Sequence, residues 1–308
     1  MGISQYIREI GRGKDGARAL GRVQARDLFG QVLDGSVTDL ELGAFCIAMR
    51  VKGETPEEMA GFLEATYERM TRIPAGPAPL VVLPSYNGAR KLPLLTPLLA
   101  LLVAREGLPV LIHGAQTEGT RVFVSHVLEA LDIKPSSQVH AIAPGELAYV
   151  PTHVLSPGLQ RLLEVRRTVG LRNSSHSLVK LMNPSAGEAI VVGSYTHPEY
   201  AVSMGEVYEL MGSTALLLRG TEGEPVADPR RVRKLEGFLR GKRRLLEEDQ
   251  PGTVTELPDL PADTAPHTTA AYIRDLLSGK RPVPAPITLQ VEHILRLAKA
   301  SQEQETRP

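Results

Sequence analysis

The chain has 308 residues, enough for one large domain or a large and a small one. Its 35 Lys and Arg match its 35 Asp and Glu, so a nucleic-acid partner could be held only by local charge clusters; aromatics at 4% with no Trp argue against stacking as the main binding device. The single Cys46 excludes an intrachain disulfide and a cysteine metal site, and its apolar helical surroundings read as a buried small hydrophobe.

Residues 1–72 read as helices. Ser4 to Ile10 is a first short helix with Ser4 as its cap. Ala25, Leu28, Phe29 and Val32 share one helical face, and Asp34-Gly35 closes that helix. Thr38 with Glu41 makes a capping box for a third helix, whose buried stripe is expected at Leu40, Ala44, Ile47 and Ala48. Thr55-Pro56-Glu57-Glu58 starts a fourth, with a cap, a proline in the first turn and two acids there. Asp34 and Glu54 read as helix caps. Pro74 to Pro79 is a linker.

The stretch 79–133 organises the rest. Val81-Val82-Leu83 suits a buried strand and Ser85 to Arg90 a turn. Leu92 to Ala104 carries no charge and fits a buried helix too short to span a membrane. Pro109 to Ile112 is a second strand, followed by a His113-Gly114 turn. A strand–helix–strand unit implies parallel strands, and ligands in such sheets sit beyond the strands' carboxyl ends. Further on, Pro157 to Val169 reads as a helix, Ala189 to Gly193 as a strand, and His197-Pro198 opens a helix to about Met211. Leu216 to Leu218 is another strand. Residues 251–266 are proline-rich and irregular, and helices at 268–277 and 289–300 follow. No signal-peptide pattern or membrane-length apolar run is present, so a cytoplasmic protein without membrane contact is expected.

Several blocks resemble the anthranilate phosphoribosyltransferases of glycosyltransferase family 3, which also holds the nucleoside phosphorylases. They are Val32-Leu33-Asp34-Gly35, Met49 to Glu58, His113-Gly114, Val165-Arg166-Arg167 with Gly170-Leu171-Arg172 and Asn183-Pro184, and His197-Pro198 with Gly220-Thr221-Glu222-Gly223. The resemblance implies an α/β fold: a small helical domain (1–73), with about 157–182 packing back towards it, and a larger domain (78–308) around a mostly parallel sheet. It also implies a homodimer through the helical domain.

The site positions depart from that family. Its glycine-rich diphosphate turn needs bare backbone N–H groups. Here the turn is Pro84-Ser85-Tyr86-Asn87-Gly88, with one glycine and a bulky Tyr86. Tyr86 can stack on a base or plug the vacated pocket. Glu118 stands in the second phosphate loop, where it would repel pyrophosphate. Pro225 and Val226 match the acidic magnesium pair, and neither ligates a hard cation. Ser85, Tyr86, Asn87, Gly88, His113 and Gly114 are therefore degenerate ligand-site positions. Arg172, matching an arginine that faces the aromatic acid substrate, survives. This pattern resembles the YbiB-type branch, which implies low-specificity nucleic-acid binding without catalysis, cofactor or metal. The alternative is a phosphoribosyltransferase or pyrimidine-phosphorylase-like enzyme with an altered acceptor, holding Mg²⁺ through Glu222, Glu224 and Asp228.

Charge clustering supports phosphate contact. Arg230, Arg231, Arg233, Lys234, Arg240, Lys242, Arg243 and Arg244 lie in 15 residues with Glu236 the only acid among them. That stretch reads either as a helix or as extended chain turning at Arg240-Gly241-Lys242. A solvated surface offset by Glu247, Glu248 and Asp249 is the plainer reading. Arg90, Lys91 and Arg121 fall at strand ends, and Arg161, Arg166, Arg167, Arg172 and Lys180 on the segment expected to face them. Together they would line a basic groove. His113 reads as a turn histidine satisfied by backbone.

Overall fold

Four helices open the chain in the computed structural model, which describes residues 2–13, 15–252 and 258–305: α1 (Ser4–Ile10), α2 (Arg22–Asp34), α3 (Asp39–Lys52) and α4 (Pro56–Arg69). Thr38 and Glu41 exchange hydrogen bonds across the first turn of α3, and Thr55 and Glu58 do so in α4. Gly35 ends α2 at φ 69°, a left-handed position suited to glycine. Ser4 does not cap α1. The cap is Ile3, whose N–H donates to Glu41 Oε1 at 3.0 Å.

Three phenylalanines fill the bundle: the Phe29 and Phe62 rings stack at 4.5 Å and Phe45 meets both edge-on. Cys46 is buried beside them, and burial pushes its thiol up to about 11. The buried face of α3 is not the expected stripe. Phe45, Cys46 and Met49 go inward, while Leu40 is 85% exposed and Val51 67%. The helix is apolar on two sides, and the side carrying the large Phe45 and Met49 wins the core. Asp34 and Glu54 are not caps either: Asp34 accepts both arms of Arg69, and Glu54 accepts from Ser174 Oγ at 2.5 Å.

Seven strands form one sheet in the order β3-β2-β1-β4-β5-β6-β7. β1 (Leu80–Ser85), β2 (Val110–Gly114), β3 (Leu147–Pro151), β4 (Ala189–Tyr195) and β5 (Ala215–Arg219) are parallel. β6 (Leu235–Leu239) and β7 (Lys242–Glu247) add an antiparallel hairpin at one edge. The stretch 230–249 is thus extended rather than helical. Its tight turn is Arg240-Gly241, at φ 49° and 77°, the pair of positive values that suits a two-residue hairpin. His113 and Gly114 end β2 instead of forming a turn.

Successive strand residues face opposite ways. Val81, Leu83, Val110, Ile112, Ile190, Val192, Leu216 and Leu218 pack under α5 (Thr96–Arg105), α6 (Val124–Ala130), α11 (Pro266–Leu277) and α12 (Ala285–Glu305). Val82, Leu111, Val191 and Leu217 face the other way, toward the bundle and α7 (Thr152–Leu155), α8 (Pro157–Val169), α9 (Ser175–Leu178) and α10 (Pro198–Leu210). α5 starts at Thr96, four residues later than its uncharged run, because Pro97 sits in its first turn. Between Pro251 and α11 the described residues hold no helix or strand, and residues 253–257 lie outside them. No helix among the described residues is long and apolar enough to cross a membrane.

The chain runs from β1 outward through β2 and β3, then crosses back to place β4 beside β1. That reversal opens a crevice at the carboxyl ends of β1 and β4, where α/β sheets bind ligands.

Candidate functional site

The turn after β1 still presents backbone N–H groups, but the chain fills them itself. Glu224, in the segment that follows β5, is 1% exposed. Its carboxylate accepts from Asn87 N–H at 2.7 Å, Gly88 N–H at 2.7 Å, Thr96 Oγ1 at 3.3 Å and the Ser85 hydroxyl. Glu222 Oε2 accepts from Arg90 N–H at 2.7 Å and Lys91 N–H at 3.1 Å. Gly88, at φ 69°, could carry no Cβ, which would meet Val122 O at 2.9 Å. Gly223 and Asn87 seal the arrangement: a Cβ on Gly223 would fall 1.9 Å from Asn87 Nδ2. Two carboxylates thus occupy the backbone donors of this turn.

Behind the turn, Tyr86 is 3% exposed and cannot stack on a ligand. Its hydroxyl meets His113 Nδ1 at 2.7 Å and Thr152 Oγ1 at 2.8 Å. Burial raises the Tyr86 phenol far above its ordinary value and pushes His113 down to about 3. His113 is therefore a neutral partner of Tyr86, with the Met182 backbone also beside its ring, and it ends a strand rather than forming a turn. Gly114 is needed because a Cβ there would meet Ser85 O at 2.3 Å.

The residues do not suit Mg²⁺. Glu224 already satisfies four donors, and Asp228 binds Arg230 through both oxygens at 2.8 Å. Among the described residues no three His, Cys, Asp or Glu gather as a metal set. Pro225 and Val226 are buried, and α12 ties that stretch down: Gln290 donates to Pro225 O at 3.0 Å and accepts from Ala227 N–H at 2.8 Å.

A second cluster lies beside this plug. Arg121, Arg166 and Arg172 converge on Glu118, with Arg166 Nη2 at 2.6 Å and Arg172 Nη2 at 4.0 Å from its oxygens and Arg121 in direct contact. Burial works to raise the Glu118 carboxyl, but the three arginines together hold it below its ordinary value. Burial and then the neighbouring arginines lower Arg172. The same causes, burial first, push His176 down to about 4, leaving it neutral. Lys180 donates to Gly223 O at 3.0 Å, and burial brings its ammonium down to about 8. Arg172, His176 and Lys180 open into a cavity of about 510 Å³ between the bundle and the ends of the strands, whose walls include Glu54, His197 and Tyr200.

The residues of the expected groove and the separate 230–244 cluster lie in different places. Arg90, Lys91, Arg121, Arg166, Arg172 and Lys180 gather at the carboxyl ends of the strands, and Arg167 is exposed on α8. Arg161 instead binds Leu33 O at 2.8 Å, holding α8 to the end of α2. Arg240 to Arg244 lie at the opposite end of the sheet, because β6 runs antiparallel and returns the chain there. Most of the 230–244 set is also neutralised locally. Arg230 pairs with Asp228, Arg233 with Asp249, Arg240 with Glu188, and Lys234 and Arg243 with Glu236. Arg231 reaches Gly252 O. Lys242 and Arg244 form no ion pair among the described residues. The plugging role of Glu222 and Glu224 is not visible in the sequence, where they read only as candidate Mg²⁺ ligands of the alternative enzyme.

The helical-bundle-domain model of the glycosyl transferase family matches residues 4–70. The crystal structure of anthranilate phosphoribosyltransferase from Thermus thermophilus superposes with a TM-score of 0.73 at 21% identity, covering 98% of this chain and 89% of that one. The anthranilate phosphoribosyltransferase of Methylobacterium nodulans is 27% identical across 90% of this chain and 82% of its own. The chain belongs to glycosyltransferase family 3, on the anthranilate phosphoribosyltransferase scaffold. Within it, Escherichia coli YbiB, described as an uncharacterized protein, is 41% identical over 94% of this chain and 92% of its own length.

Proposed function

We propose that this chain is a non-catalytic nucleic-acid-binding protein that grips phosphates at the carboxyl ends of its parallel strands. One observation carries this reading. The backbone N–H groups of the turn after β1 are filled by Glu222 and Glu224, while three arginines, Arg121, Arg166 and Arg172, collect beside it around a single acid, Glu118, and Lys180 stands behind them on Gly223 O. A diphosphate brought to the turn would face two buried or hydrogen-bonded carboxylates, which opposes phosphoribosyl transfer. A phosphodiester at the basic cluster would face net positive charge. Contacts of this kind carry no base information directly, so sequence preference should be low.

An exposed aromatic in the cavity wall favours single strands. Tyr200 is 37% exposed there with the His197 ring 6.4 Å away. Unpaired bases can stack there, whereas a duplex hides its base faces. The exposed stripe of α3, Leu40, Ile47 and Val51, fits a homodimer contact through the bundle. Two clefts in one dimer would raise avidity on a long strand.

The test is fluorescence anisotropy of a labelled single-stranded oligonucleotide with site variants. Arg121→Glu or Arg172→Glu should weaken binding about tenfold or more, near 1.4 kcal/mol. Arg244→Glu, at the far end of the sheet, should change it little. Equal losses at both ends would reject the cleft as the binding face. Phosphoribosyl pyrophosphate with Mg²⁺ and aromatic acids should give no turnover, and turnover that vanishes in Arg172→Ala would favour the enzyme reading.

A further inference from the structure

The three-arginine cluster is unbalanced as it stands. One carboxylate faces three guanidinium groups, and Arg166 Nη1 is buried without a hydrogen-bond partner. The like charges crowd one another, which is part of why Arg172 holds its proton less firmly than an isolated arginine. Inorganic phosphate or pyrophosphate carries more charge than a carboxylate and has more acceptor oxygens, so it would satisfy this set better than Glu118 does, while a singly charged phosphodiester would match Glu118 in charge.

Glu118 sits on a short loop pinned on both sides. Thr117 Oγ1 donates to Tyr86 O at 3.3 Å, and Val122 pairs with Ala89 through two backbone hydrogen bonds at 2.8 and 3.2 Å. Between the pins, Gly119 and Thr120 are exposed, and no heavy atom lies within 4 Å of where a Gly119 Cβ would be. The tip therefore has room to turn its carboxylate outward. Arg121 keeps its place independently, since its Nη1 donates to Asn87 O at 2.9 Å.

We propose that Arg121, Arg166 and Arg172 form a phosphate-binding cage and that Glu118 is its internal competitor, displaced when a phosphate enters. This deepens the nucleic-acid reading, on which its biological use rests. The cage itself can be tested without nucleic acid. Inorganic pyrophosphate titrated calorimetrically should bind Glu118→Gln at least tenfold more tightly than the parent protein. Arg166→Gln added to that variant should remove the gain.

Glu118→Asp separates competition from bulk charge, because it keeps the charge and withdraws the carboxylate by one methylene. It should bind pyrophosphate with an intermediate gain, and it provides a second variant if Glu118→Gln folds poorly. Glu129→Gln, an exposed acid on α6, should change nothing. Equal pyrophosphate affinity in the parent, Glu118→Gln and Glu118→Asp would overturn the cage. A pyrophosphate gain with no tightening of oligonucleotide binding would keep the cage and count against the nucleic-acid reading. No pyrophosphate gain, with an oligonucleotide still bound and weakened by Arg121→Glu or Arg172→Glu, would remove the cage and leave that reading standing.

Discussion

Glu224 shows how one side chain can redirect a site. Its oxygens satisfy backbone N–H groups that would otherwise be buried and unpaired at Asn87 and Gly88. Glu224→Ala should therefore lower stability by at least ~3 kcal/mol, since charged hydrogen bonds are lost and donors stranded together. Urea unfolding measures this, and a loss below 1 kcal/mol would mean the turn relaxes to find other acceptors. His113 sets a pH dependence. Its folded value of about 3 lies below the ordinary 6.5, so the unfolded chain binds more protons between them. The stability it contributes is complete above pH 6.5 and declines as pH falls toward 3, by at most ~1.4 kcal/mol per pH unit. His113→Gln should flatten that part of the acid limb in thermal melts at stepped pH. An unchanged limb would show that His113 protonates in the folded state. The departures from the resembled pattern were readable in the sequence, at Tyr86, Glu118, Pro225 and Val226. What fills the gap was not, because the pairing of 87–88 with 224 spans more than 130 residues and leaves no local signal.

At the scale of elements, local chemistry was legible where one signal acted alone. The capping boxes at Thr38 and Thr55, the glycine at the end of α2 and the extent of α8 all follow from short-range rules. It failed where two faces of a helix compete. α3 carries apolar residues on both sides, and periodicity alone cannot say which enters the core. The outward stripe has a consequence for assembly. Leu40→Glu combined with Ile47→Glu should turn a dimer into a folded monomer, because neither side chain contributes to the bundle core. Sedimentation velocity would show the change, and a parent protein already monomeric at high concentration would exclude this contact. The β6–β7 hairpin misled in another way. Eight cations close in sequence look like one patch, but an antiparallel return carries Arg240 to Arg244 to the far end of the sheet and sets acids opposite most of the rest.

For the molecule as a whole, the charge balance conceals a polarity. A neutral chain gathers unpaired or underpaired cations at the carboxyl ends of its parallel strands, where this architecture places ligands. The fold was legible because its blocks keep their order and spacing, and the comparisons agree with it from end to end. The direct test of the central claim is the affinity for a single-stranded oligonucleotide measured across salt concentration. Contacts from Arg121, Arg166, Arg172 and Lys180 should give a slope of log affinity against log salt of about −2 to −3, at roughly 0.7 per phosphate. A slope near zero, or no binding at low salt, would contradict the account.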